Sequence, residues 1–314
     1  MVGTHLAETS SKVTGYLIGF VKRVTPASAQ PAASSLFDAA TNLVESALGW
    51  REELTPPLRI RLHIGPFLDP RLYRFAGERN VAAFKDLAGL RPDAAFLDIG
   101  CGCGRVARAL TEYFVADASY EGFDAAKKPV EWAQKVITRK FPNFHFQIAD
   151  TFNKRYNPSG KTGASHLIFP YADNKFDFAF AGSVYTHMLP EEVANFVGET
   201  RRVLRPGGKS FATFCLLNEK TLPVVDAGKS MPPLIYKYGD TRVRSLADPA
   251  HFIAHPEAWV RKLYKDAGLS IVEPIIRGTW ANTDPKAVEL EQYRLGGSPS
   301  RKASQDTVIA VKTS

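Results

Sequence analysis

Leu97-Asp98-Ile99-Gly100-Cys101-Gly102-Cys103-Gly104-Arg105 joins a short apolar run, residues 95–99, to a helical pattern with Val106, Leu110 and Phe114 at four-residue spacing. Three glycines alternate with other residues at that junction. Glycine lets the backbone turn sharply and lets a ligand approach the main chain. The free N–H groups of a helix start favour a polar or anionic group. Asp98 stands on the strand before the turn, where a carboxylate accepts hydrogen bonds from a cationic amine.

The alternation continues in both directions. Residues 120–123, 144–148, 176–181 and 209–214 read as further strands. Between them Val130, Ala133, Ile137 and Phe141 share one helical face, and Val193, Val197, Thr200 and Leu204 share another. Pro190, Glu191 and Glu192 suit a helix start. Pro256 opens a later helix that Gly268 stops; residues 270–276 and 307–311 are two more strands, with Pro274 suited to an edge. Strands alternating with helices predict an α/β fold, doubly wound on a mostly parallel, Rossmann-like sheet. Upstream, residues 36–50 have helical spacing with Leu36, Ala40, Leu43, Val44 and Ala47 on one side, and residues 51–75 are Pro-punctuated and irregular. Residues 217–254 break the rhythm with prolines and glycines. The expected division is an N-terminal helical and irregular extension with a lid (1–75) and a main domain (76–314) carrying an insertion or lid (217–254).

Three acids close three of the predicted parallel strands. Besides Asp98 they are Asp124, with Ala125 beside it, and Asp150, followed by Thr151. Open α/β sheets bind ligands at that end, where a strand-end acid holds ribose hydroxyls. Two cofactors compete. Gly102-Cys103-Gly104-Arg105-Val106-Ala107 fits a dinucleotide fingerprint, which leaves Gly100 unused and sets Asp98 near a pyrophosphate it would repel. A ligand with ribose, adenine and a cationic amino acid uses all three acids.

In these residues the sequence resembles the class I S-adenosylmethionine-dependent methyltransferases. Asp98 to Gly104 matches the family's first motif, Asp124 its ribose-binding acid, and Asp150-Thr151 its adenine-side acid. Arg202-Val203-Leu204-Arg205-Pro206-Gly207-Gly208 is similar to the helix end and turn before its fifth strand. The resemblance implies a seven-stranded sheet with an antiparallel last strand, and S-adenosylmethionine as cofactor. It assigns Asp98, Gly100, Cys101, Gly102 and Gly104 to the methionine end, Asp124 and Ala125 to the ribose, and Asp150 and Thr151 to the adenine. It also places the loop after the fourth strand beside the reactive methyl group, with Ser183 as a further cofactor contact and Tyr185 and His187 as the catalytic candidates. That loop departs from the Asn/Asp-Pro-Pro-Tyr motif of amino-methylating nucleic-acid enzymes. The expected acceptor is therefore a small or lipid-like molecule methylated at oxygen.

His187 is the general-base candidate, since its ordinary pKa lies near neutrality. The competing reading makes it a cap or packing residue. Tyr185 is expected to orient an acceptor hydroxyl or to cover the adenosyl group. His5, His63, His145, His166, His251 and His255 show no ligand spacing, and Cys101-x-Cys103 without partnered histidines is poor zinc spacing, so no metal is expected. Leu234, Tyr236, Tyr238, Phe252 and Trp280 are candidates for an acceptor pocket, with a local packing cluster as the alternative. Tyr73 and Phe75 are placed by their position to close over the cofactor.

The 314 residues carry 40 Lys and Arg against 32 Asp and Glu, a formal net charge of +8. The basic residues fall mostly in scattered pairs, so nucleic acid is not the expected partner. The recognisable chemistry is carried by acids that suit a positively charged cofactor. The basic surplus leaves an anionic acceptor, or peripheral contact with an anionic membrane through residues 10–24. Apolar residues 13–21, closed by Lys22 and Arg23, are read as a surface or packing helix rather than a secretory signal. Three cysteines without a pairing pattern point to a reducing, cytoplasmic setting. Three other classes stay open on sequence alone: an NAD-dependent oxidoreductase, an RNA-binding module and a non-catalytic module.

Overall fold

The computed structural model describes residues 30–65, 67–281 and 305–313. The segment 10–24 and the pair Arg301-Lys302 lie outside the described residues.

Among the described residues three helices precede the sheet: α1 (Gln30–Ala47), α2 (Leu58–Ile64) and α3 (Pro70–Ala88). Helix α3 starts on Asp69, whose side chain accepts from the Arg71 N–H, and stops at Gly89 in the left-handed conformation. Within 51–75 the chain is helical over 58–64 and from 70 onward, and irregular at 51–57, as expected for the whole segment. A boundary at residue 75 would also cut α3. The proline pair Pro56-Pro57 and Pro70 mark helix entrances here, because proline is tolerated in a first helical turn.

Helix α1 corrects the sequence reading in a second way. Its predicted apolar face points outward, with Leu36 and Leu43 each 72% exposed. The inward side is polar. Glu45 is buried and pairs with the fully buried Arg61 of α2 at 2.5 Å, while Asp38 pairs with Arg59 at 3.2 Å.

The main sheet is built from β1 (Ala95–Ile99), β2 (Ser119–Asp124), β3 (Phe144–Ile148), β4 (Phe176–Ala181) and β5 (Leu204–Phe214). Helices α4 (Arg105–Leu110), α5 (Lys127–Ala133) and α6 (Pro190–Val203) connect them. After β5 comes the insertion, with β6 (Leu216–Leu217), α7 (Leu222–Asp226), β7 (Tyr236–Tyr238), β8 (Thr241–Val243) and β9 (Ile253–Pro256). Helix α8 (Glu257–Asp266), β10 (Leu269–Ile271) and β11 (Asp306–Lys312) follow.

The seven-stranded sheet has the order β10-β11-β5-β4-β1-β2-β3. Strands β1 to β5 pair in parallel, and β11 runs antiparallel to both β5 and β10. The expected fold class is therefore observed. Strand β10 is shorter than predicted and lies at the edge; Ile276 alone rejoins Thr307. Pro274, which lacks an N–H, sits in that interruption. Strand β5 starts five residues earlier than expected, with an irregular register opposite Phe176 and Phe178.

Alternation along the strands separates two cores. On one face Phe96, Tyr120, Phe144, Phe178 and Phe211 meet α3, α4 and α5. Phe84 of α3 sits at the centre of this aromatic layer, 4.7 Å from the Phe180 ring and 4.9 Å from that of Phe211. On the other face Leu97, Ile99, Ala179, Ala212 and Val308 meet α6 and α8. The insertion has a smaller core of its own, built on Cys215, Val225, Leu234, Ala254 and Trp280.

Candidate functional site

The chain order reverses between β1 and β4, and a crevice at that point, outside the carboxyl ends of the strands, is where open α/β sheets hold ligands. The glycine loop fills the start of it. Gly100, Gly102 and Gly104 all have positive φ, at 75°, 55° and 76°. A Cβ on Gly100 would lie 2.6 Å from a Val184 methyl, and one on Gly102 would lie 2.7 Å from an Ile64 methyl. Only glycine combines that backbone with so close an approach.

The loop is held from below. The N–H groups of Gly100 and Cys101 donate to the Phe123 carbonyl at 2.9 and 3.1 Å. Tyr73 is buried under the loop and donates its hydroxyl to the Cys103 carbonyl at 3.3 Å. It supports the cofactor loop from inside rather than closing over it, while Phe75 is half-buried. The side chains of Cys101 and Cys103 are buried, and Cys101 packs on Gly122. Only the backbone of Cys101 belongs to the loop surface.

Asp98 lies under the loop and accepts a 2.7 Å hydrogen bond from the Tyr120 hydroxyl. Burial pushes its carboxyl up to about 7, against the opposing pull of Tyr120 and of Arg105. Asp124 ends β2 and is half-buried. Its two oxygens accept from the Gly102 and Ala126 N–H groups, each at 2.8 Å. Burial raises its pKa, and those two backbone bonds oppose the rise. Ala125 lies in the turn between Asp124 and α5. The Ala125 N–H is also directed at Asp124, and the carboxylate retains some acceptor capacity beyond its backbone bonds.

Asp150 is exposed and lines an open pocket of about 200 Å³ with Phe123, Ile148, Ala149, Leu167, Ile168 and Pro170. Gln147 completes the lining, and a mostly apolar slot with one carboxylate and one amide suits a planar base bearing an amino group. Thr151 serves the backbone instead. Its hydroxyl donates to the Thr162 carbonyl at 3.0 Å, closing the loop after β3. Asn153 shapes the same loop by accepting from the N–H groups of Arg155 and Tyr156.

The loop after β4 divides the remaining candidates. Ser183 is exposed, with φ of 58°, and its N–H donates to the Thr213 hydroxyl at 2.7 Å. A non-glycine residue in that region is a strained position of the kind that gathers at functional sites. Tyr185 is a correction. It has no exposed surface, packs on Phe214 at 5.0 Å between ring centres, and belongs to the core. An aromatic ring just past the strand end is drawn inward, away from the crevice. His187 is half-buried and meets Phe252 of the insertion edge-on at 5.1 Å. Burial pushes its pKa down to about 4, so the ring is neutral at physiological pH.

Three of the five expected acceptor residues, Leu234, Trp280 and Phe252, gather as a local packing cluster rather than an open pocket. Leu234 and Trp280 are buried in the insertion's own core, whereas Tyr236 and Tyr238 are exposed on β7. Phe252 alone among these five faces the loop after β4. The loop after β3 does reach the insertion, because Lys154 Nζ donates to the Ala247 carbonyl at 3.3 Å. Two residues that sequence spacing did not single out also stand at the crevice. His63 and Ile64 of α2 lie over the Gly102–Asp124 junction, and Tyr156 stands 6.0 Å from the His63 ring. They are distant from Asp124 in sequence, so no local spacing marks them.

The residues fit an S-adenosylmethionine-like ligand. Three glycine positions have no room for a Cβ, an exposed acid borders an apolar slot, and a second acid has acceptor capacity left.

Residues 97–212 match a family model described as a methyltransferase domain. Sterol 24-C-methyltransferase erg6 of Schizosaccharomyces pombe is 24% identical over 175 residues, 56% of this chain and 39% of that protein. An uncharacterized 37.1 kDa protein in transposon TN4556 of Streptomyces fradiae is 27% identical over 143 residues, 46% of this chain and 36% of that protein. The chain thus spans well under half the length of these two relatives. Among solved structures, a SAM dependent methyltransferase from Aquifex aeolicus is 18% identical, with a TM-score of 0.45 and coverage of 81% of this chain and 97% of the other. A magnesium protoporphyrin IX methyltransferase from Synechocystis, with bound SAH, is 17% identical, with a TM-score of 0.46 and coverage of 77% and 84%. The glycine loop, and all but the outer ends of the strands β1 to β5 that surround it, fall within the segment that matches the methyltransferase-domain model.

Proposed function

We propose that the protein transfers a methyl group from S-adenosylmethionine to a small or lipid-like acceptor, at oxygen. The observation that carries this reading is the row of Asp98, Asp124 and Asp150 along the glycine loop at the carboxyl ends of β1 to β3. Asp98 and the backbone of the glycine loop hold the methionine end. Asp124 takes the ribose and Asp150 the adenine. The cofactor, when bound, supplies an electrophilic methyl on a sulfonium. The chain's residues align donor and acceptor for in-line displacement, which accounts for most of the acceleration such a reaction needs.

His187 faces the acceptor side, and the strained Ser183 lies on the cofactor side. His187 is neutral and accepts the acceptor's proton. The insertion and α2 act as lids that keep water out. A lipid-like acceptor is supported by the relative whose name describes methylation of a sterol; that name describes methylation at carbon, so carbon is the second acceptor atom to examine. The other two classes make different demands. A dinucleotide would set a pyrophosphate beside the buried Asp98, and an RNA partner would give binding with a steep salt dependence.

Calorimetric titration with S-adenosylhomocysteine and with NAD decides the cofactor. We expect binding of the first alone, weakened by about 1.5–3 kcal/mol in Asp124→Ala, as for a lost charged hydrogen bond. Tighter binding of NAD would overturn the reading. Mass spectrometry of an extract supplied with deuterated methyl donor identifies the acceptor. His187→Ala should then lower turnover by about 100-fold, the lower end of general-base contributions, and retained turnover removes it as a base.

A further inference from the structure

We propose that His63, paired with Tyr156, contacts the ribose of the cofactor, so that helix α2 of the N-terminal extension is a structural part of the cofactor site. The inference rests on the cofactor reading above and adds a residue and an element to it.

Three observations converge. First, α2 is seated on the glycine loop: an Ile64 methyl occupies the space that a side chain on Gly102 would need. The Gly102 N–H is the group that donates to Asp124 Oδ2. His63, one residue before Ile64, is thereby brought beside the ribose-side acid. Second, the His63 ring faces Tyr156 at 6.0 Å with the planes tilted by 58°. Tyr156 is fixed from below by the Asn153 side chain, which accepts its N–H at 3.0 Å. Two rings from distant parts of the chain thus lie within electrostatic reach of Asp124, and His63 is exposed. Third, α2 is rigidly placed. Arg61 is fully buried and donates to Glu45, to the Pro56 carbonyl at 2.6 Å and to the Leu68 carbonyl at 3.1 Å. A histidine on a firmly held helix is a more precise ligand group than one on a loose extension.

The chemistry fits the ribose end. Asp124 accepts from the Gly102 and Ala126 N–H groups, with the Ala125 N–H also directed at it, and its remaining acceptor capacity can take a ribose hydroxyl. An imidazole nitrogen beside the carboxylate can donate to or accept from the ribose diol. The charged groups around His63 are Asp124, Lys128 and Arg155, and burial keeps its pKa below the ordinary value. A neutral ring can serve in either sense.

The test uses the full chain and three probes: S-adenosylhomocysteine, adenosine and 2′,3′-dideoxyadenosine. His63→Ala should bind the first two about 10-fold more weakly than the parent, since the contact is to the ribose they share. The same substitution should cost little against 2′,3′-dideoxyadenosine, which lacks both hydroxyls. Because His63 is exposed, the variant should melt within a degree or two of the parent. If His63→Ala binds S-adenosylhomocysteine like the parent while Asp124→Ala does not, the inference falls and the cofactor reading stands. The same holds if the loss is equal with and without the hydroxyls. If the parent binds no S-adenosylhomocysteine at all, both fall.

Discussion

Asp98 is the residue whose environment departs furthest from that of an ordinary carboxylate. It is 2% exposed, and its hydrogen-bond partner is a tyrosine hydroxyl rather than an arginine. With its pKa pushed up to about 7, the folded chain holds a proton between pH ~4 and 7 that the unfolded chain releases. Stability therefore falls as pH rises through that window, and the penalty, on the order of 4 kcal/mol, is complete above it. Asp98→Asn keeps an oxygen for Tyr120 to donate to and removes the titration. Its urea-unfolding stability should gain on the parent's as pH rises from 5 to 8, and a difference that does not move with pH would show that Asp98 is ionised throughout. The same variant should bind S-adenosylhomocysteine more weakly, since a charge facing the cationic amine is lost. Asp98, Asp124 and the three glycines were legible because their chemistry is local. Tyr185 was not, because the direction of a side chain past a strand end depends on what packs behind it.

The element that joins this site to the rest of the chain is the pair α1–α2. A helix with its polar side inward is held by ion pairs, and a buried pair is costly to break because one charge is left without compensation. Arg61→Met should destabilise this region by roughly 3–5 kcal/mol, the range for a broken buried pair. Limited proteolysis should then cut within residues 30–65 before the sheet is touched, and α2 should leave Gly102, raising the dissociation constant for S-adenosylhomocysteine. Simultaneous loss of the whole domain would show that the extension and the sheet unfold as one unit. The apolar spacing of residues 36–47 correctly announced a helix. It misplaced the inward face, because periodicity records that a stripe exists and not which neighbour covers it. The neighbour here is a set of arginines farther along the chain.

At the scale of the whole molecule, the loop after β4 ties the main sheet to the insertion, and two histidines lie along the tie. His255 has no exposed surface, and its Nε2 meets the Tyr185 carbonyl at 3.1 Å; His187 touches Phe252. Burial pushes both down to about 4. Unfolded histidines take up protons below pH ~6.5 while these do not, so their contribution is present above that pH and is lost as pH falls toward 4. His255→Gln should flatten this acid limb by about 3 kcal/mol, measured as urea-unfolding stability at pH 7 and pH 4.5. An unchanged limb would mean that the ring is protonated in the folded state. Asp98 works in the opposite direction over the same window, so the single variants separate what the parent superimposes.

The fold class, the place of the glycine loop and the acids at the strand ends could all be read from the chain before any contact was known. Strand alternation, left-handed turns and strand-end carboxylates are properties of a few neighbouring residues. Four outcomes needed the folded molecule: which residues of the extension reach the site, which face of α1 points inward, that Tyr185 is core, and that the insertion packs on itself. Each depends on contacts between segments far apart in the chain, where burial and charge pairing are set by the partner.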